Sequence, residues 1–230
     1  IWTGPQPTLT EWAYQVGVEH TQPISHLYKR IEAAAAKGRR IHYLPPYRAE
    51  TILHVGRLLG LMPDRVAAHA SVELARAVVA LREVKARCEI EEIEFACGIA
   101  SRMHRLAMRM CRPGTSEREI AGAIEGVALQ YGAGVSFPSI VTQNGQTLHN
   151  HDYSDTLQSG RLMLVDAGAE TTMNYCSDFT RTFPVSGYFT PKQKEIYDIV
   201  LAANRKVFEL AHPGAYYYQM HNEAARVIGE

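Results

Sequence analysis

The chain has 230 residues, with 24 basic and 24 acidic side chains, 46% hydrophobic residues and 21% charged ones. That is an ordinary globular composition, which excludes a disordered, collagen-like or coiled-coil protein and leaves enough chain for one large core, or one and a half. A formal charge of zero supplies no global field to draw in nucleic acid or an anionic membrane, and no apolar run approaches the roughly 20 residues of a membrane span.

Cys88, Cys97, Cys111 and Cys176 form no close pair of metal-binding or redox spacing, so they read as reduced thiols and point to a cytoplasmic protein. The opening IWTGP reads as the middle of a longer chain, and both ends are expected to be cut.

Residues 1–80 are dense in Pro, His and Tyr. A turn-rich start around Gly4, Pro5 and Pro7 precedes a helix predicted over 23–37, where Ile24, Leu27, Ile31 and Ala34 repeat at three and four. The run RRIHYLP predicts a short strand stopped by Pro45 and Pro46. Helices are then predicted over 50–61 and 71–80. Together these elements suggest part of a smaller α/β domain.

From Leu81 onward the helices are longer and better marked. The pattern predicts one over 89–111 with Ile90, Ile93, Cys97, Ala100, His104, Ala107 and Cys111 on one face, ended by Arg112, Pro113 and Gly114. Ser116 with Glu119 forms a capping box for the next helix, which Gly132 and Gly134 stop. Three β-like runs follow, SIVTQ, RLMLVDAG and NYCSDFTRTFPV, punctuated by the turn dipeptides Asn144-Gly145 and Ser159-Gly160. They predict a meander of mostly antiparallel strands. Thr190, Pro191 and Gln193 start another helix that runs to His212-Pro213-Gly214, and a last one begins near Tyr218. Helix pairs followed by a sheet predict an α+β architecture.

Strand alternation puts Leu162, Leu164 and Asp166 on one face of the first long strand, and Cys176, Asp178, Thr180 and Thr182 on one face of the second. With a hairpin tip at Thr172, Asp166 and Asp178 become direct cross-strand neighbours. Like charges placed so destabilise a sheet unless a cation, a shared proton or solvent relieves them, and a pair of metal ions is the catalytic way of doing so. Two aspartates a dozen residues apart are more often turn or surface residues. Here, however, Asp166 ends the apolar run LMLV, where an unpaired carboxylate is expensive.

The segments VDAGAE and SDFTRTFPVSG resemble the paired-aspartate signature of metallopeptidases with the pita-bread fold, and most closely the aminopeptidase P family. LREVKARCEIEEIEFACGIA, CRPGTSEREI, NGQTLHN and FTPKQKEIYDIV extend the likeness over residues 81–230. The resemblance implies the first half of a pita-bread domain over 81–230, preceded over 1–80 by the C-terminal part of a creatinase-like N-terminal domain. It implies that Asp166 chelates one of two divalent ions and that Asp178 bridges both. Thr180 takes the position of a hydroxyl that orients a ligand carboxylate. His149 matches the histidine that approaches substrate, and His151 is the alternative holder of that role. The implied activity is release of an N-terminal residue that precedes proline, by a hydroxide bridging two ions, with Mn²⁺ suited to a carboxylate-rich site. Peptides with N-terminal Xaa-Pro are the implied substrates, and the expected assembly is a homo-oligomer, a dimer or higher.

The family completes its site with one histidine and two glutamates after the second aspartate. Glu195, Asp198, Glu209, His212, His221, Glu223 and Glu230 match none of those motifs. The chain is therefore expected to be truncated, inactive alone, and weak or empty as a metal site. A proline dipeptidase of the same fold and a non-catalytic pita-bread module that binds peptides or proteins are the competing readings. His104 reads as a satisfied core histidine, Arg181 as structural on the opposite face from the aspartates, and Cys176 as no nucleophile for want of a partner histidine.

Overall fold

In the computed structural model, which describes residues 2–230, the chain separates into two compact units, one ending at Lys85 and one beginning at Ala86.

The first unit holds α1 (Leu9–Gln15), α2 (Ser25–Ala36), α3 (Ala49–Leu59), the short α4 (Pro63–Val66) running into a 3₁₀ turn (Ala67–His69), and α5 (Val72–Glu83). Helix α1 lies between the turn-rich start and the helix expected over 23–37, in a stretch where no helix is predicted. The side chain of Thr8 accepts the Glu11 N–H while the Glu11 carboxylate accepts that of Thr8, a reciprocal cap that starts a helix between two prolines. Conversely, the strand predicted over RRIHYLP does not form. Every regular element described in this unit is helical, so no ladder is available to that run. It is pinned instead by single bonds: Tyr43 Oη donates to Val66 O at 2.6 Å, Ser71 N donates to Tyr43 O at 2.9 Å, and His42 Nδ1 lies 2.7 Å from Ser71 Oγ.

The second unit opens with two long helices, α6 (Arg87–Met110) and α7 (Glu117–Tyr131). The strands β1 (Gly134–Val135), β2 (Ile140–Thr142), β3 (Leu162–Ala167), β4 (Ala169–Glu170) and β5 (Phe179–Pro184) follow, and then α8 (Pro191–Leu210) and α9 (Tyr217–Gly229). Capping boxes at Ser116/Glu119 and Thr190/Gln193 start α7 and α8 where the sequence indicates. Strands β2, β3 and β5 form an antiparallel meander in that order, and β1 pairs with β4. The architecture is mixed helix and sheet, as expected.

The core lies between the helices and the odd-numbered face of the meander. Ile99, Met103 and Ala107 of α6, and Ile120, Ile124 and Ala128 of α7, pack with Val141, Met163, Val165 and Ala167. The buried stripe of α6 differs from the predicted one: Ala96, Ile99, Ala100, Met103, His104 and Ala107 are buried while Ile90 is exposed. No residue before Ala96 in this helix is buried, so apolar residues there are free of the stripe's periodicity.

Register is where the hairpin departs from expectation. Asp166 stands opposite Thr180 and Leu164 opposite Thr182, so the tip is at Met173 and not at Thr172. The turn explains the shift. Thr171 N donates to Tyr175 O, Thr171 Oγ1 accepts from Met173 N and Tyr175 N, and Asn174 takes the left-handed conformation that asparagine tolerates. Three residues therefore span the tip, and Asp178 falls diagonally from Asp166, just before β5. Moving a tip by one residue moves every partner by two, so the faces are unchanged.

Gly168 makes this geometry possible. Its carbonyl accepts Ser136 N, while Ser136 Oγ donates to Ser177 O at 2.7 Å, immediately before Asp178. A Cβ on residue 168 would overlap Ser177 O and Ser136 Oγ, whereas one on Gly122 in α7 would meet open space. Gly168→Ala is expected to cost about 3 kcal/mol or to prevent folding. Gly122→Ala should stabilise by about 0.5–1 kcal/mol. Urea unfolding of the two variants checks both signs.

Candidate metal centre

The even-numbered face of the meander collects Ile140 and Thr142 from β2, Leu164 and Asp166 from β3, and Thr180 and Thr182 from β5, with Asp178 at the mouth. Asp166 is half-buried at the end of its strand, and its Oδ1 is buried with no hydrogen-bond partner. Asp178 is more exposed. Burial first, then the charge of Asp166 and a hydrogen bond with it, push the Asp178 carboxyl above the usual aspartate range. The two carboxylates thus meet on one face, although they are not the directly opposed pair that a tip at Thr172 requires. Thr180 sits across the ladder from Asp166 on the same face.

An unpartnered buried carboxylate oxygen beside a second carboxylate is a place short of positive charge. Its oxygen donors suit a hard or borderline divalent cation. Among the described residues no group of three or more His, Cys, Asp or Glu gathers to hold a metal.

Behind this face, on the helix side, stands His104, 5% exposed. Its Nε2 donates to Ala167 O at 3.1 Å, and Nδ1 is buried with no partner. Burial is the main cause that lowers its pKa, so the ring is neutral and lends the aspartates no charge. It is a core histidine as expected, but only one of its nitrogens is satisfied. Arg181 lies across from Val165 on the opposite parity from the aspartates; it is exposed and stacks over Phe179.

The loop histidines stand apart from the pair. His149 is exposed, at a φ of +55°, and among the described residues no hydrogen bond joins it to Asp166 or Asp178. His151 Nδ1 lies 3.4 Å from Ser139 O, one residue before Ile140, which faces Asp166 across the ladder. Cys176 is exposed and bridges to Glu170 through the backbone.

Residues 91–230 match the model of metallopeptidase family M24. The chain belongs to that family. It is 32% identical over 231 residues to a probable Xaa-Pro aminopeptidase of Chaetomium globosum, covering 99% of this chain and 37% of that protein. Among solved structures it resembles the Pseudomonas aeruginosa aminopeptidase PepP, with a TM-score of 0.83 at 28% identity, over 99% of this chain and 53% of that one. A prolidase from Pyrococcus horikoshii gives a TM-score of 0.78 at 26% identity, over 95% and 62%. The fold of the aminopeptidase P structures therefore covers this chain, and the chain spans about half of theirs and little more than a third of the Chaetomium relative.

Two buried polar residues of this M24 unit escaped the sequence reading. Glu117 and Gln143 are almost wholly enclosed. A first-turn glutamate and a strand-end glutamine look solvent-facing in a sequence, and no pattern there distinguishes these two.

Two carboxylates leave most of an ion's coordination to water. Calorimetry of residues 1–230 with Mn²⁺ should therefore give a Kd on the order of 10⁻⁴ M or weaker, reduced further in Asp166→Asn. Micromolar binding would mean that the chain holds ligands beyond the two aspartates.

Proposed function

We propose that the chain is part of a metal-dependent aminopeptidase that removes an N-terminal residue preceding proline. The observation that carries this reading is the meeting of Asp166 and Asp178 on one sheet face, with an Asp166 oxygen buried and unpartnered. It occurs in an M24 chain whose curated relatives are named Xaa-Pro aminopeptidases. Asp166 and Asp178 would hold two divalent ions, Mn²⁺ by the hardness of the donors, with the remaining ligands in the part of the relatives that this chain does not span. Ions so held polarise a peptide carbonyl and lower the pKa of water enough to make a nucleophile at neutral pH.

The chain's own residues prepare that chemistry. The β3–β5 register aims both carboxylates to one side, and the β-branched Thr180 stands where its hydroxyl can orient a carboxylate. His149, on the loop before β3, would donate to the substrate oxygen as charge builds on it, with His151 the alternative donor. Prolidase activity is the second reading, favoured by the likeness to the Pyrococcus horikoshii prolidase. Comparing an Xaa-Pro dipeptide with longer Xaa-Pro peptides separates the two, because a dipeptidase turns over only the first.

In the full-length enzyme, Asp178→Ala should abolish Xaa-Pro cleavage, whereas His149→Ala should lower kcat/KM by about 10²- to 10³-fold, the cost of one oxyanion donor. Losing a shared carboxylate removes the site itself, and losing the histidine removes one contact. Steady-state kinetics at saturating Mn²⁺ on folded variants decide it. If Asp178→Ala keeps the greater activity, the aspartate pair is not the metal site.

A further inference from the structure

Glu117, in the first turn of α7, is 1% exposed. Burying a carboxylate is costly unless hydrogen bonds satisfy it, and capping does not require it here, because the neighbouring Ser116/Glu119 pair performs the cap. Burial is also the main cause that raises the Glu117 pKa. The cost is met at the end of β2. Glu117 Oε1 accepts the backbone N–H of Gln143 at 2.7 Å and Thr142 adds a side-chain hydrogen bond, while Glu117 N donates to Asp155 O at 3.0 Å.

Gln143, itself 8% exposed, continues the arrangement across the stem of the loop. Its Nε2 donates to Thr156 O at 2.9 Å and its Oε1 accepts Gln158 N at 3.0 Å. Asn144 Nδ2 donates to Asp155 Oδ2 at 2.5 Å, and the Arg161 guanidinium donates to Gln143 O and to Asn144 Oδ1. The bonds of Gln143, Asn144 and Arg161 join the incoming strand of the stem to its outgoing strand, and Glu117 ties both strands to α7. The loop closed in this way, 145–154, carries His149 and His151. Its base continues β2, whose Ile140 faces Asp166 across the ladder.

We propose that Glu117, acting with Gln143, is a positioning residue that clamps the histidine loop at a fixed place beside the Asp166 strand. Glu117 touches neither aspartate and no histidine, so its effect passes through the loop. This rests on the reading that a histidine of that loop meets the substrate.

Two measurements test it. Hydrogen exchange on residues 1–230 should show Glu117→Ala raising the exchange of the Gln143 amide and of the amides of 145–154, with Ile120 and Val165 still protected. Glu117→Gln, which keeps an acceptor for Gln143 N, should leave the loop as it is. Unchanged loop exchange in Glu117→Ala, or loss of core protection along with it, overturns the proposal.

In the metal-loaded full-length enzyme, Glu117→Ala should lower kcat/KM for an Xaa-Pro peptide between about tenfold and 100-fold, as expected for a displaced group, and Glu117→Gln should restore it. Placed on a variant lacking both loop histidines (His149→Ala with His151→Ala), Glu117→Ala should cause no further loss, because residues acting through one another are not additive. If the histidine-free enzyme is impaired and Glu117→Ala lowers it again by the same factor, the clamp proposal alone fails. If the histidine-free enzyme keeps full activity, the functional reading of the loop fails and the clamp with it.

Discussion

Two carboxylates that face the same way across a hairpin repel each other, and the second unit is organised so that the repulsion is tolerated. Burial and the nearby Asp166 charge raise the Asp178 carboxyl above the usual aspartate range, and the exposure of Asp178 lets solvent screen part of that repulsion. Against this stands the other face of the same strands. Burying a large apolar side chain such as Met163 or Val165 contributes about 1.5–3 kcal/mol, and both are fully buried against α6 and α7. The odd face holds the hairpin shut while the even face carries the charge. The tight approach of Gly168 to Ser177 then keeps the strands in register where Asp178 leaves the ladder.

Neither His104 nor Arg181 relieves that charge. His104 stands behind the sheet, yet burial lowers its pKa and its hydrogen bond goes to Ala167 O and not to a carboxylate. Arg181 stands across from Val165, on the wrong parity to reach the pair, and spends its guanidinium on Thr180 O and the Phe179 ring. A proton shared between the two carboxylates relieves part of the repulsion, as the raised Asp178 pKa and its hydrogen bond with Asp166 indicate, and a cation on the even face would relieve the rest. Under the proposed function that cation is a divalent ion, in keeping with a metallopeptidase family.

Much of this was legible in the sequence because the decisive signals are local. Ser116 with Glu119 and Thr190 with Gln193 start helices where they stand, and strand parity placed both aspartates on one face whichever residue formed the tip. What failed depended on partners. The tip moved to Met173 because Thr171 and Asn174 prefer a three-residue turn, and the RRIHYLP strand is lost because nothing in its unit pairs with it. Helix α1 had its Thr8/Glu11 box in plain view and was hidden by the glycine and prolines before it. Glu117 and Gln143 were illegible for a different reason. Their burial is produced by a loop that folds back over them, and neither residue type announces it.

The aspartates are set in place by a core that contains no metal ligand. Ile99, Met103, Ile120, Ile124, Met163 and Val165 close on one another, and the capping boxes and the Glu117–Gln143 bonds complete the frame. This differs from small metal-dependent domains, where ligation free energy is folding free energy and removal of the ion unfolds the chain. Here the strand register and the apolar face bring the carboxylates together at the expense of their mutual repulsion. An incoming cation therefore gains their attraction without having to order the strands that carry them. Such a half-site has geometry but too few ligands. If the pair holds ions as proposed, each further donor would strengthen the ion's hold without disturbing the hairpin that aims the two aspartates.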